Sequence, residues 1–301
     1  MSRQGRTASR RRRGTETCRF LAVVMATGIL VPSLVGQERP QFASRVEAVR
    51  VDVLVTDRGK PVSDLVASDF EVLDNGVRQK ISLAGIERMP VNVTLALDAS
   101  NSVTGAHLGE LRAATRALLA GLEAQDQAAL VTFSHRLSLA SPLTHDMDCV
   151  RAAIDELRTG GGTALFDAVF AGLALNESDG GRGLLVVFTD GADTSSLLTR
   201  EAVLDAAKRS GSVAYAAVAG LAGRRSSLSE VVEQTGGRLF DLSAADDLPS
   251  VFVKILQEFR QRYLLSYEPT GVSKEGWHRL AVRVKGKPYT VKARLGYRVD
   301  P

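Results

Sequence analysis

The first strongly patterned stretch of the chain alternates apolar and polar residues. Along Val49–Val55 every second position is valine, a period of two that is typical of a β-strand with one buried face. Two more stretches, 70–73 and 77–81, flank the turn sequence Asp74-Asn75-Gly76, and Asn and Gly tolerate the positive φ of a tight hairpin turn. The segment 40–90 is therefore predicted to be mostly β-structure, and it is too short to bury a good core alone.

From Val91 onwards, apolar runs alternate with stretches whose apolar residues recur at helical spacing, such as Leu108, Leu111 and Leu118. Buried strands that alternate with helices predict an α/β fold class, in which a doubly wound, mainly parallel sheet carries helices on both faces. The predicted strands are Val91–Leu97, Ala128–Phe133, Leu184–Phe188, Ser212–Val218 and Arg238–Phe240, with a minor strand near Leu137–Leu139.

The β pattern returns near the C terminus. Tyr263–Tyr267 reads as a strand, and His278–Val284 is predicted to pair with Tyr289–Leu295. Because neither terminal β segment can hold a core by itself, we expect the two to pack together into one small all-β domain. The predicted domains are thus a β-domain made of 40–90 and 259–301, and an α/β domain of 91–258 inserted between its halves.

Composition narrows the class of protein. Of 301 residues, 45% are apolar and 24% are charged, and two cysteines are present, so the chain is neither disordered nor disulfide-rich. The 38 basic residues exceed the 34 acidic ones, but the excess is local. Charged residues at the end of the last predicted helix, Glu258, Arg260 and Arg262, are expected to form a solvated surface.

The basic excess lies in the first 36 residues, which hold seven arginines and one glutamate before an apolar stretch from Phe20 to Val35. This order predicts a secretory signal peptide over 1–36 and an exported chain, periplasmic or secreted. An uncleaved membrane anchor is the alternative, although the stretch is shorter than a spanning helix needs. Without the segment, 31 basic and 33 acidic residues remain, which argues against nucleic acid as a partner.

Oxygen-bearing side chains follow three of the predicted strands. Asp98, Ser100 and Ser102 come at the end of the first α/β strand, Thr163 follows three glycines and opens a helix, and Asp190 ends another strand. The carboxyl ends of parallel strands meet at one edge of a sheet, where open α/β sheets bind ligands. Two carboxylates and three hydroxyls can therefore surround one hard divalent cation.

This ordered set resembles the von Willebrand factor A domain and its metal-ion-dependent adhesion site, over roughly residues 91–258. The family pattern is Asp-x-Ser-x-Ser in the first loop, Thr in the second and Asp in the third, and all of it is present here. The flanking β segments further resemble those of exported bacterial proteins related to this family. The matching residues are Asp98, Ser100, Ser102, Thr163 and Asp190.

The resemblance implies a binding protein that is not an enzyme. Ser100, Ser102 and Thr163 would supply hydroxyl oxygens, while Asp98 and Asp190 would act directly or through water. The expected ion is Mg²⁺ or Mn²⁺, with Ca²⁺ as a third candidate. Neutral hydroxyl ligands leave such an ion electron-poor, so a Glu or Asp carboxylate of a partner protein is the expected last ligand.

Two alternatives remain open on the residues alone. A Mg²⁺-dependent phosphoryl-transfer hydrolase would use Asp98 as its nucleophile, but that chemistry needs an acid two residues later, where this chain has Ser100. A structural module that has lost metal affinity is the other. Near the site, Asp167 is expected to support the loop, and Asp193 to be a solvated loop acid.

Overall fold

Strands and helices alternate from Val91 to Arg260, and strands predominate in the described residues before and after this range. The computed structural model describes residues 48–85, 89–176, 180–219, 225–242 and 247–300, which belong to one compact unit. The predicted signal peptide lies outside the described residues. The strands are β1 (Val49–Asp57), β2 (Lys60–Pro61), β3 (Phe70–Asp74), β4 (Val77–Gln79), β5 (Ile81–Gly85), β6 (Val91–Asp98), β7 (Gln127–Phe133), β8 (Leu137–Thr144), β9 (Arg182–Thr189), β10 (Val213–Ala219), β11 (Leu239–Leu242), β12 (Tyr263–Tyr267), β13 (Gly276–Val284), β14 (Thr290–Lys292) and β15 (Gly296–Val299). The α-helices are α1 (Ala106–Ala120), α2 (Met147–Asp155), α3 (Leu165–Leu175), α4 (Arg200–Arg209), α5 (Arg225–Thr235) and α6 (Leu248–Arg260).

The central sheet has six strands in the order β11-β10-β9-β6-β7-β8. All neighbours are parallel except β7 and β8. Apolar side chains fill both faces, one beneath α1, α2 and α6 and the other beneath α3, α4 and α5. The α/β class predicted from the alternating pattern is confirmed, and the parallel strands β6 and β9 end at the same edge, at Asp98 and Thr189.

The stretch near Leu137–Leu139, predicted as a minor strand, is longer than expected. It forms the eight-residue strand β8, which lies at one end of the sheet order and runs antiparallel to β7. A tight connection explains the direction, because the Ser134 amide donates to the Arg136 carbonyl oxygen at 3.0 Å and reverses the chain. Short hairpins join antiparallel strands, whereas a parallel pair needs a long crossover.

Strands from before β6 pair with strands from after α6. β1 pairs antiparallel with β12 and β14, β12 also pairs with β5, and β3 pairs with β13. Their apolar side chains form a third core, which includes Val53, Phe70 and Leu265. The predicted turn at Asn75-Gly76 is present, with φ of 47° and 83°. The two ends of the chain thus share sheets and a core.

One predicted pairing near the C terminus is wrong. β13 pairs with β15 and β3, and the stretch Tyr289–Leu295 instead contributes β14, which pairs with β1. Gly296 explains the choice, because a Cβ there would lie 2.2 Å from the His278 carbonyl oxygen. Only a glycine lets β15 approach β13 so closely.

Charged residues at the end of α6 are also placed differently from the expectation. Arg262 is fully buried, and its guanidinium donates to the Tyr215 hydroxyl at 3.1 Å and to the Asp52 carbonyl oxygen at 3.3 Å. Next to it, buried Arg182 of β9 donates from Nε to Oδ1 of Asp52 on β1 at 2.8 Å. These contacts join the terminal strands to the central sheet, so this end of α6 is an internal junction.

Within the ranges described above, no helix is long and apolar enough to span a lipid bilayer.

Candidate metal centre

The first loop of the predicted site is ordered by its own hydrogen bonds. Asp98 ends β6 fully buried, and its Oδ1 accepts the Ser100 amide at 2.8 Å. The Ser100 and Ser102 hydroxyls lie 2.9 Å apart, and the Ser102 hydroxyl donates to Oδ1 of Asp190 at 2.6 Å. Four of the five predicted residues are therefore linked in one chain of contacts across two loops.

Thr163 approaches the same point from the second loop. It is buried, and a Cβ placed on Gly191 would lie 3.1 Å from the Thr163 hydroxyl oxygen and 3.8 Å from Oδ2 of Asp98. The backbone of Gly191 thus lies beside both groups, and a larger residue would press on the threonine hydroxyl. The structure brings all five predicted residues to the carboxyl edge of the central sheet.

Three consecutive glycines allow the second loop to lie against its neighbours. The Gly160 amide donates to the Ala99 carbonyl oxygen at 2.8 Å, and the Gly161 carbonyl oxygen accepts the Asn101 amide at 3.1 Å. Gly161 has a φ of +81°, and a Cβ there would lie 2.1 Å from Nδ1 of His135. A side chain at this position would clash with the imidazole and separate the two loops.

One of the two carboxylates, Asp98, is buried, and the other, Asp190, is partly exposed. Burial raises the pKa of Asp98 above its usual 3.8, hydrogen bonds from Thr189 and Ser100 oppose the shift, and the negative charge of Asp190 adds to it. A buried carboxylate next to a like charge is stabilised by a cation. The electrostatics around Asp98 therefore favour a positive ion beside it.

Asp167 and Asp193 hold the loops from outside the site. Asp193 accepts the Leu165 amide at 2.8 Å and the Phe166 amide at 3.3 Å, so it caps α3, whose own N-cap residue is an alanine. Asp167 accepts the Leu198 amide at 2.8 Å, as the support role predicts. The expectation of a solvated Asp193 is wrong, because the unsatisfied amides at the start of α3 recruit its carboxylate.

Sequence reasoning missed Thr189. Its hydroxyl donates to Oδ2 of Asp98 at 2.6 Å, and it is buried beside Asp190. A threonine in an apolar strand is ordinary, because β-branched residues favour strands. The available signal was its place, directly before the proposed ligand Asp190 at the end of β9.

The donor set fits a hard divalent ion. Two carboxylates and three hydroxyls offer oxygen atoms only, as Mg²⁺ and Mn²⁺ prefer. Over the described part of the chain, no group of three or more His, Cys, Asp or Glu side chains is placed to hold a metal. Any ion at this edge of the sheet would therefore depend on the hydroxyls.

Comparisons with known proteins give several solved structures that are similar to parts of this chain. Proximal thread matrix protein 1 of the mussel byssus has a TM-score of 0.50 at 16% identity, over 67% of this chain and 51% of that one. A von Willebrand factor type A protein from Catenulispora acidiphila gives 0.49 at 13% identity, over 77% and 73%. The PilB minor pilin from Streptococcus sanguinis has a TM-score of 0.45 at 15% identity, over 58% of this chain and 62% of the pilin.

The search of curated proteins gave no match. Residues 92–254, more than half of the chain, match the von Willebrand factor type A domain. This range contains β7 to β11, all of β6 except its first residue, and all five residues of the candidate centre. The chain therefore belongs to the von Willebrand factor type A domain family.

Proposed function

We propose that this protein is an exported, metal-dependent protein-binding module. The observation that carries the proposal is the hydrogen-bonded chain from Ser100 through Ser102 to Asp190, formed by loops that are 88 residues apart in sequence. Polar side chains in loops usually bond to backbone nearby in sequence, whereas these side chains meet across two distant loops. They meet at the carboxyl edge of the sheet, which is where open α/β sheets bind ligands.

The five residues have distinct roles in this proposal. Ser100, Ser102 and Thr163 offer neutral hydroxyl oxygens, and Asp98 and Asp190 supply negative charge. When bound, Mg²⁺ or Mn²⁺, with Ca²⁺ as the third candidate, supplies a positive centre for an oxygen ligand from outside. Three of the five residues offer only neutral hydroxyl oxygens to the ion. A charged oxygen ligand from outside is therefore favoured, and a Glu or Asp side chain of a partner protein would supply it.

The remaining parts of the chain support binding outside the cytoplasm. Residues 1–36 serve as a signal peptide, which makes the working protein periplasmic or secreted, and only an uncleaved apolar segment would attach it to a membrane. The charge that remains after cleavage is slightly negative, which disfavours nucleic acid. We further propose that 91–258 is an α/β domain inserted in a β-domain formed by 40–90 and 259–301.

We propose binding rather than catalysis at this centre. The hydrolase alternative needs an acid at position 100 to protonate the leaving group. The residue there is a serine, and its hydroxyl contacts Ser102. A screen with phosphate monoesters and Mg²⁺ should give no turnover. Turnover by the wild-type protein that is lost in Asp98→Asn would favour the hydrolase over the binding module.

Calorimetric titration with Mg²⁺ and Mn²⁺ tests the metal assignment. The wild-type chain should bind one ion, and Asp190→Ala and Ser102→Ala should each weaken or abolish the binding. Asp148→Ala is the matched control, because Asp148 is an exposed acid outside the centre. Equal binding by all four proteins would contradict the proposal.

The partner is sought in the exported fraction. Immobilised wild-type protein should retain a protein in Mg²⁺ and release it in EDTA, and Asp190→Ala should retain none. Retention that survives both EDTA and Asp190→Ala would show that binding does not use the metal centre.

A further inference from the structure

Thr189 connects two loops of the centre through one hydroxyl group. It is the last residue of β9 and is 1% exposed. Its Oγ1 donates to Oδ2 of Asp98 at 2.6 Å and accepts the Gly191 amide at 3.1 Å. A hydroxyl has one proton and two lone pairs, so both bonds form at the same time.

The contact fixes Asp98 from the side opposite to its own loop. Oδ1 of Asp98 is held by the Ser100 amide at 2.8 Å, and Oδ2 is held by Thr189, so both carboxylate oxygens have a defined direction. The Gly191 amide, which follows Asp190, is fixed by the same hydroxyl. A residue outside the five-residue set thus contacts both the Asp98 carboxylate and the backbone that follows Asp190.

We propose that Thr189 is a positioning residue of the metal centre, whose hydroxyl orients the Asp98 carboxylate and fixes the loop that carries Asp190. The inference rests on the proposed function in that it names what holds two of the proposed ligands. Removal of a group that orients a metal ligand without touching the metal lowers the affinity for the metal by about 10- to 100-fold. This positioning role requires no contact between Thr189 and a partner protein.

Two substitutions at position 189 separate the hydroxyl from the shape of the side chain. Thr189→Val keeps the size and the β-branch but removes the hydroxyl, and it should lower Mn²⁺ affinity, measured by calorimetry, by about 10- to 100-fold. Thr189→Ser restores the hydroxyl and should recover most of that loss. A Thr189→Val protein that binds Mn²⁺ as wild type does would overturn the proposal.

Thr94→Val is the matched control. Thr94 is a fully buried threonine on the neighbouring strand β6, and its hydroxyl donates to Oδ1 of Asn176 at 2.8 Å, in a contact that includes none of the five site residues. The control therefore loses one buried hydroxyl bond and should keep wild-type Mn²⁺ affinity. Equal loss of affinity in Thr94→Val and Thr189→Val would assign the effect to general destabilisation and overturn the proposal.

Amide hydrogen exchange in the metal-free protein separates this inference from the proposed function. The Ser100 and Gly191 amides should exchange faster in Thr189→Val than in wild type or Thr94→Val, because their acceptors are released or removed. Unchanged exchange at both amides would contradict the positioning role even if metal binds. Faster exchange in a protein whose wild type binds no Mn²⁺ would keep the positioning role and refute the metal assignment.

Discussion

Asp98 is the residue at which binding and stability oppose each other. Its folded-state pKa lies above the unfolded value of 3.8, mainly because of burial, so folding favours the protonated carboxyl. The ionised form therefore lowers the stability of the metal-free protein at neutral pH. This destabilisation disappears as the pH falls through the raised pKa towards the unfolded value.

We predict that Asp98→Asn stabilises the metal-free protein at pH 7, because the amide has similar size and no charge to bury. Urea unfolding in EDTA at a series of pH values measures the difference from wild type. The gap should close as the pH falls through the raised pKa of Asp98 towards the unfolded value of 3.8. A gap of constant size across the series would show that charge is not the cause.

At the scale of residues, spacing identified the candidate site but not what surrounds it. Asp98, Ser100 and Ser102 could be selected because they follow an apolar strand at intervals of two. Thr189 and Asp193 could not, since each acts on a residue that is distant in sequence. Contacts of this kind depend on the folded loops.

Among the elements, α3 links the second and third loops of the centre. The helix begins at Leu165, two residues after Thr163, and its first amides bond to Asp193 of the third loop. Asp167, in its first turn, returns a contact to Leu198. The start of α3 and the loop after Asp190 therefore hold each other in place.

We predict that Asp193→Ala destabilises the protein by about 1 kcal/mol, the usual effect of losing a helix cap, and also weakens Mn²⁺ binding. Asp247→Ala is the control, because Asp247 caps α6 by accepting the Ser250 amide at 3.1 Å. Its stability should fall by a similar amount with metal affinity unchanged. Urea unfolding and calorimetry measure both effects, and equal Mn²⁺ affinity in the two variants would contradict the prediction.

The existence of the central strands could be predicted because each carries a local apolar pattern. Pairing in the terminal sheets could not, because partners there are distant in sequence and several apolar strands compete. The error at β13 is an example, since Gly296 decides the pairing through a close contact with the His278 carbonyl. Local pattern predicts a strand, whereas steric fit chooses its partner.

For the whole molecule, the contact between Asp52 and Arg182 is a buried ion pair that links the terminal strands to the central sheet. Both side chains are largely buried, with 11% and 3% of their surface exposed. Removing one partner leaves an uncompensated charge in a place that water cannot reach. The sequence offered no sign of this link, because the two residues are 130 positions apart.

We predict that Asp52→Ala lowers the free energy of unfolding by about 3 kcal/mol, as expected for breaking a buried ion pair. Glu230→Ala is the control, because it breaks the exposed pair with Arg200 and should cost less than about 1 kcal/mol. Urea unfolding measures both. Similar losses in the two variants would mean that the buried pair has no special weight.

Strand β6 has a mechanical consequence. Its last residue, Asp98, belongs to the candidate centre, while at its first residue the Val91 amide is held by Asp126 at 2.8 Å, and Asp126 also pairs with Arg260 at the end of α6. A pull on a bound partner would load β6 along its axis. Parallel neighbours β7 and β9 flank it along nearly its whole length, so their evenly spaced hydrogen bonds would share that load in shear. The candidate centre is therefore attached to a strand whose two hydrogen-bonded neighbours would share a load applied along it.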